Sequence, residues 1–302
     1  MVEAKPVSPG TGAAEVAFVR RENRLLLLAS VFFSRPVVVF GSVVIAVLLV
    51  VAVFAPWIAP YDPYAQNLDS VLQAPSGAHW LGTDSLGRDT LTRIMFGSRI
   101  ALLVGVGTVT LAASVGSLFG LVAGYLGGWA FTIIMRFVDG MSAIPALLFA
   151  LVVSTLLKAG VSGVMIAIGL ALLPGYARLM AGQVLSAKQN DYVLAARSIG
   201  ASPRTIMWRH VLPNCLSPLI VQVTLIIGLA ILLESTLSFL GLGIKPPTAA
   251  WGSMTFDGYK YLALRPILSL APAAAIMLVV YAFNMVGDGL RDALDTRLRN
   301  TF

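Results

Sequence analysis

Long stretches of this chain carry no charged residue, among them Pro36 to Tyr61 and Ile100 to Met135. An uncharged apolar run of about 20 residues is long enough, as a helix, to cross the hydrocarbon core of a bilayer. The second stretch is too long for one crossing, and Gly124, Gly127 and Gly128 divide it. Composition agrees: of 302 residues, 58% are hydrophobic and only 12% charged, against roughly 25% charged in soluble domains. A water-soluble fold has no surface on which to place so much apolar area. Sustained alternating segments of the kind a membrane barrel needs are missing. The expected class is all-α, a polytopic membrane protein with about six transmembrane helices.

The expected organisation follows the charges and the breakers. Residues 1–35 form a polar cytoplasmic segment whose start, with Pro6, Pro9 and Gly10, reads as disordered. Leu25 to Phe33 reads as a short interfacial helix. Residues 36–56 form the first span, ended by Pro56, Pro60 and Pro63. A polar, turn-rich periplasmic loop occupies 57–98. The core transmembrane domain takes 99–288, with spans near 100–123, 131–157, 161–176, 215–240 and 267–286, and a polar loop that begins at Arg178 and includes the segment 188–213. Residues 289–302 form a cytoplasmic tail.

Basic residues decide orientation, because Lys and Arg accumulate on the cytoplasmic side. With both termini inside, about two-thirds of the 21 Lys and Arg fall there. The net charge of +7 is thus spread over the gaps between spans. It forms no single basic patch, and no nucleic-acid partner is expected. Cys215 stands alone, so no disulfide forms within the chain and no metal cluster is expected.

The 188–213 loop is the most informative segment. Around Asp191 it reads as two short helices: the first stops at Gly200, and the second starts with Ser202 as cap and Pro203 at its first position. Pro213 then leads into the fifth span. Ala195 and Ala196 offer a face without bulk. Ala195, Ala196, Gly200, Leu212 and Pro213 together resemble the EAA-loop signature of permeases in bacterial binding-protein-dependent ABC importers. Leu194 stands where that signature has glutamate. The resemblance implies a coupling helix lodged in an ATPase subunit, with Asp191 or Arg197 supplying the polar contact.

Three further segments resemble the dipeptide/oligopeptide branch of that family: His79 to Asp89 with Arg93, Gly97 and Arg99; Leu237 to Gly243 with Pro246, Pro247 and Trp251; and Asn284 to Asp295. They occur in the expected order from Arg35 onward, as in the subunit called DppC or OppC. The resemblance implies a type I ABC importer permease fold and import of di- or oligopeptides by alternating access. The same machinery importing glutathione or nickel is the alternative. Implied partners are a second, homologous permease of the DppB/OppB type, two ATP-binding cassette subunits, a periplasmic or lipid-anchored binding protein, the peptide and membrane lipid. No Gly-x-x-x-x-Gly-Lys-Ser/Thr loop occurs. No cofactor is therefore expected in this chain; ATP and Mg2+ belong to the partner subunits, and the chain is not itself an enzyme.

Individual side chains carry paired readings. Asp84, Arg88 and Asp89 suit a transient contact with the binding protein, or pair locally to fix the start of the second span. Glu234, an acid within the fifth span, is either a substrate-path residue or a hydrogen-bonded structural group. Arg136 and Asp139, three apart on one helical face, are expected to pair. The small residues Gly105, Gly107, Ala112, Ala113, Gly116 and Gly120 allow close packing, within the chain or against the second permease. Trp57, Trp80 and Trp251 fit interfacial or outer-loop positions. An ion-coupled carrier would need several acids at mid-membrane and an inverted repeat. An intramembrane enzyme would need a catalytic His pair, whereas His79 and His210 lie in separate loops.

Overall fold

A computed structural model describes residues 31–157 and 160–294. The readings for 1–30, for Lys158 and for the tail from 295 lie outside the described residues. The fold is helical: α1 Pro36–Ile58, α2 Thr90–Leu126, α3 Gly128–Ser142, α4 Ala146–Leu156, α5 Val161–Ala187, α6 Asp191–Ser198, α7 Leu216–Phe239, α8 Trp251–Tyr259 and α9 Ile267–Leu294. Three short turns, Pro203–Thr205, Ile206–Val211 and Leu212–Cys215, join α6 to α7. Among the described residues the only extended pairing is an isolated bridge between Thr83 and Asp89.

Five helical paths are long and apolar enough to cross a membrane: α1, α2, α5, Pro203–Phe239 and α9. The sixth crossing is broken. Helices α3 and α4 meet at an angle of 89°, where a single span was expected over 131–157. Pro145 explains the break: a residue preceding proline is pushed out of the helical region, and proline donates no backbone N–H. Two other boundaries move. Asp89 caps α2, its Oδ2 accepting from the Thr92 N–H at 2.8 Å, so residues 90–98 are helix and not loop. Helix α5 runs past Tyr176 to Ala187, because no proline follows Pro174 until Pro203, and the lone Gly182 weakens a helix without ending it.

Side-chain contacts fix which ends lie together. At one end Arg93 Nη1 donates to the Pro63 carbonyl at 2.9 Å, and Arg265 Nε donates to the Leu72 carbonyl at 2.8 Å. At the other end Lys188 Nζ donates to the Tyr125 carbonyl at 2.7 Å, and Arg35 pairs with Asp292 at 2.7 Å. Helix α2 therefore ends beside the end of α5, and α3–α4 must cross between them.

The tightest seam joins α2 to α5. A Cβ added at Gly116 would lie 2.6 Å from the Leu173 carbonyl oxygen, and one at Gly124 would lie 2.9 Å from that of Ala181. Only glycine admits that approach, the device by which membrane helices gain contact without a hydrophobic drive. The small residues of α2 thus serve packing within this chain. Gly105 makes room for the Ile231 side chain of α7. Trp251 lies in the connection between α7 and α9, yet it is buried and its Nε1 donates to the Ile94 carbonyl at 3.0 Å. Trp57 and Trp80 stay exposed.

Candidate functional site

The segment from Lys188 to Pro213 folds against the end of the bundle where α2 and α5 finish. Lys188 anchors it on the α2 terminus, its ammonium meeting the last carbonyls of that helix. Burial, and after it the charge of Arg197, holds the Lys188 ammonium below its ordinary pKa.

Helix α6 is closed by local chemistry. Gly200 has φ +79°, its N–H donates to the Arg197 carbonyl at 3.0 Å, and the Ala201 N–H donates to that of Ala196 at 3.0 Å. This is a Schellman closure, and the left-handed residue it requires is glycine. Ser202 then starts the next turn, its Oγ accepting from the Thr205 N–H at 3.2 Å, with Pro203 at the first position.

Proline 213 leaves the Arg209 carbonyl without its helical donor. The chain answers by widening to a π-turn over Ile206–Val211, with the Leu212 N–H reaching the Met207 carbonyl. The Asn214 amide covers the next carbonyl, donating to His210 at 2.7 Å.

The faces of α6 differ. Val193 and Ala196 are buried, packing with Leu121, Met180, Val184, Ile206, Val211 and Cys215. Asp191, Tyr192, Leu194, Ala195 and Arg197 are exposed, and Ile199 beyond the helix is 85% exposed. Leu212 is half-buried and Pro213 exposed. The bulk-free face expected from Ala195 and Ala196 is therefore divided: Ala196 belongs to the core, and only Ala195 faces out. The exposed arc of the helix runs from Leu194 through Asp191 and Ala195 to Tyr192, with Ile199 just beyond the helix and Arg197 at its border with the buried side.

At the opposite end, Asp84, Arg88 and Asp89 come together in one polar knot. Asp84 accepts from the Leu86 and Arg88 N–H groups at 2.9 and 3.0 Å and pairs with Arg88 Nε at 2.7 Å and Arg93 Nε at 3.6 Å. Asp89 caps α2 and also meets His79 Nδ1 at 2.9 Å. Arg88 and Asp89 are buried, so these two side chains hold the loop and leave little of themselves for an outside contact. Arg93, which sequence reasoning noted only as part of a motif, is the buried hub that ties Pro63, Asp84 and Pro247 together.

Glu234 is fully buried near the end of α7. Ser238 Oγ donates to it at 2.7 Å and accepts from the Ile244 N–H at 2.9 Å. Ser235 lies 3.3 Å away. Gly241, with φ +78°, closes α7 as Gly200 closes α6. The Leu237–Gly243 motif is thus a helix stop with a carboxylate pinned beneath it.

Asp139 does not take Arg136 as its partner. It pairs with Arg178 of α5 at 3.5 Å. Sequence reasoning placed Arg178 in a loop; the signal that puts it in a span is the unbroken helical register from Gly175 to Ala187.

Comparison with known proteins gives two family matches. The family described as binding-protein-dependent transport system inner membrane component matches residues 116–300. The N-terminal TM domain of oligopeptide transport permease C matches residues 27–75. The chain is 41% identical over 272 residues to the glutathione transport system permease protein GsiD of Pectobacterium atrosepticum, covering 89% of this chain and 90% of that protein. It is 43% identical to GsiD of Escherichia coli O6:K15:H31, with 86% of each chain covered. It is 42% identical to the probable D,D-dipeptide transport system permease protein DdpC of Escherichia coli K12, covering 87% of this chain and 89% of that one.

Proposed function

Because the chain belongs to the family of binding-protein-dependent transport system inner membrane components, we propose that it is one of two permeases of an ATP-driven importer of short peptides. The relatives named for glutathione and for D,D-dipeptides support a small peptide or peptide-like cargo. The segment 188–213 is the coupling element. Both termini and this loop lie in the cytoplasm, where a nucleotide-binding subunit grips α6. ATP and Mg2+ sit on two such subunits, and this chain does no catalysis of its own. A second permease completes the path, and a soluble or lipid-anchored binding protein delivers cargo to the end built from residues 57–89 and 240–266. Its contact falls on exposed surface around the Asp84–Arg88–Asp89 knot. Glu234 serves that end by pinning the α7 stop, and it touches the path only through the loop it holds.

One observation carries this reading. The loop has a packed inner face of Val193 and Ala196, while Tyr192, Leu194 and above all Ile199 stay exposed among the described residues. Leu194 in place of the family's glutamate makes the contact more apolar, so ATPase motion is transmitted by packing. In alternating access, closure of the nucleotide-binding pair moves α6, and rigid α5 and α7 on either side of it carry the movement into the membrane.

The test is cross-linking in intact cells. Ile199→Cys is expected to cross-link to an ATP-hydrolysing subunit and to resist an impermeant thiol reagent added outside. Native Cys215 is buried and gives no background. Labelling from outside, or a complex in which the loop touches no ATPase, overturns the assignment.

A further inference from the structure

The broken crossing and the Arg178–Asp139 pair meet at one place. Helix α5 has 27 residues, about 40 Å of helix at 1.5 Å per residue, against a hydrocarbon core of about 30 Å. Arg178 lies ten residues before Lys188, about 15 Å from that end, so it sits within the membrane. Val138 of α3 packs on Leu173 and Ala177 of α5, which sets Asp139 at the same depth. The bend between Ser142 and Ala146 lies nearby.

At that depth the chain is open. A groove of about 240 Å³ is lined by Ser142, Pro145, Gly175, Tyr176, Arg178 and Gln222, with apolar neighbours. The side chains of Arg178 and Asp139 are 50% and 61% exposed. The Tyr176 hydroxyl is buried and has no hydrogen-bond partner among the described residues. In lipid, an exposed ion pair and a bent backbone would both go unsolvated, so such features occur only against protein or a water-filled cavity. The pair is also looser, at 3.5 Å, than the 2.7–2.9 Å of a well-formed charge-assisted bond. An arginine held this loosely is available to a second anion.

Building on the peptide-import reading, we propose that this groove is a station on the translocation path, where Arg178 receives the free carboxylate of the passing peptide. Asp139 holds the guanidinium while the station is empty and faces the peptide's ammonium when it is occupied. Gln222 of α7 supplies amide contacts to the peptide backbone.

The test uses the whole complex in proteoliposomes with its binding protein. Uptake of a short peptide with a free C-terminal carboxylate is compared with uptake of its C-terminal amide. Selection by the binding protein is common to every variant and cancels when preferences are compared. Arg178→Gln is expected to lower uptake of the acid about tenfold and leave the amide unchanged, while Arg178→Lys retains the preference. An equal loss for both peptides, or no change for either, overturns the proposal. Ser142→Cys provides a check that leaves both charges in place. The introduced thiol is expected to react with a water-soluble thiol reagent, and saturating acid peptide should slow that reaction more than the amide does. A thiol that stays unreactive at this position overturns the proposal. If the unmodified complex moves neither peptide, the peptide-import reading itself fails, with this assignment.

Discussion

At the end of the bundle closed by residues 59–89, Arg88 and Asp89 are buried and Asp84 is shared between Arg88 and Arg93. At the end closed by 188–215, Ile199 is 85% exposed, and Leu194 and Trp208 are each half out. The first end hides the charges of its knot, though Leu68 and Trp80 stay exposed on it; the second exposes the apolar side chains around a helix stop. A loop that satisfies its own charged groups is complete as folded, because each buried ion has an opposite charge or hydrogen-bond partners within reach. A loop that leaves large apolar groups uncovered has contact area in reserve for a partner. Motif segments of the same family thus fold to different ends: residues 79–89 form a self-paired platform, and residues 191–213 form an exposed loop that, on the proposed coupling reading, serves as a handle.

The contrast can be broken at three points. The largest effect is expected at the platform. Asp84→Ala strands buried Arg88 and Arg93, and removing one partner of such a pair costs about 3 kcal/mol. Thermal unfolding in detergent and proteolysis between residues 57 and 89 should both show the loss. An unchanged melting temperature would mean the knot is ornamental. The next effect belongs to the handle and should leave folding alone. Ile199→Asp changes an exposed residue, so the purified chain keeps its melting temperature. Its affinity for the ATPase subunits falls about tenfold or more, which corresponds to about 1.4 kcal/mol. Titration of the labelled ATPase onto the permease pair reads this directly. The smallest effect separates shape from contact. Gly200→Ala meets open space, so its cost is only that of a left-handed residue, about 1 kcal/mol. It should loosen α6 and lower the coupling of ATP hydrolysis to transport more than it lowers ATPase binding. A deficit confined to binding would mean that Gly200 is itself a contact residue.

How much of this was legible beforehand depends on the range over which each feature is determined. The stop at Gly200, the cap at Ser202 and the proline at 213 act through their immediate neighbours, and the structure shows each in its expected form. The uncharged stretches announced membrane helices for the same reason: desolvation of backbone and side chain is local. The break at Pro145 was also written locally, yet the apolar run around it masked it. The partition of Ala195 and Ala196 was not legible, since which alanine turns inward depends on where Val184, Ile206 and Cys215 lie. The partner of Asp139 was not legible either. Arg136 is nearer in sequence, but α5 brings Arg178 against it.

Charge-free runs and local breakers along the chain were enough to make it a helical membrane protein with a two-part loop of a known transport signature. Long apolar runs and caps are short-range matters of solvation and backbone geometry. Tertiary contacts settled that the platform buries Arg88 and Asp89, that Trp251 belongs to the core, and that Arg178 and Asp139 meet beside the bend between α3 and α4. Those outcomes rest on which helices touch. Contact between helices is set by close packing of glycine seams such as Gly116–Gly124 on α5, not by any residue's own preference.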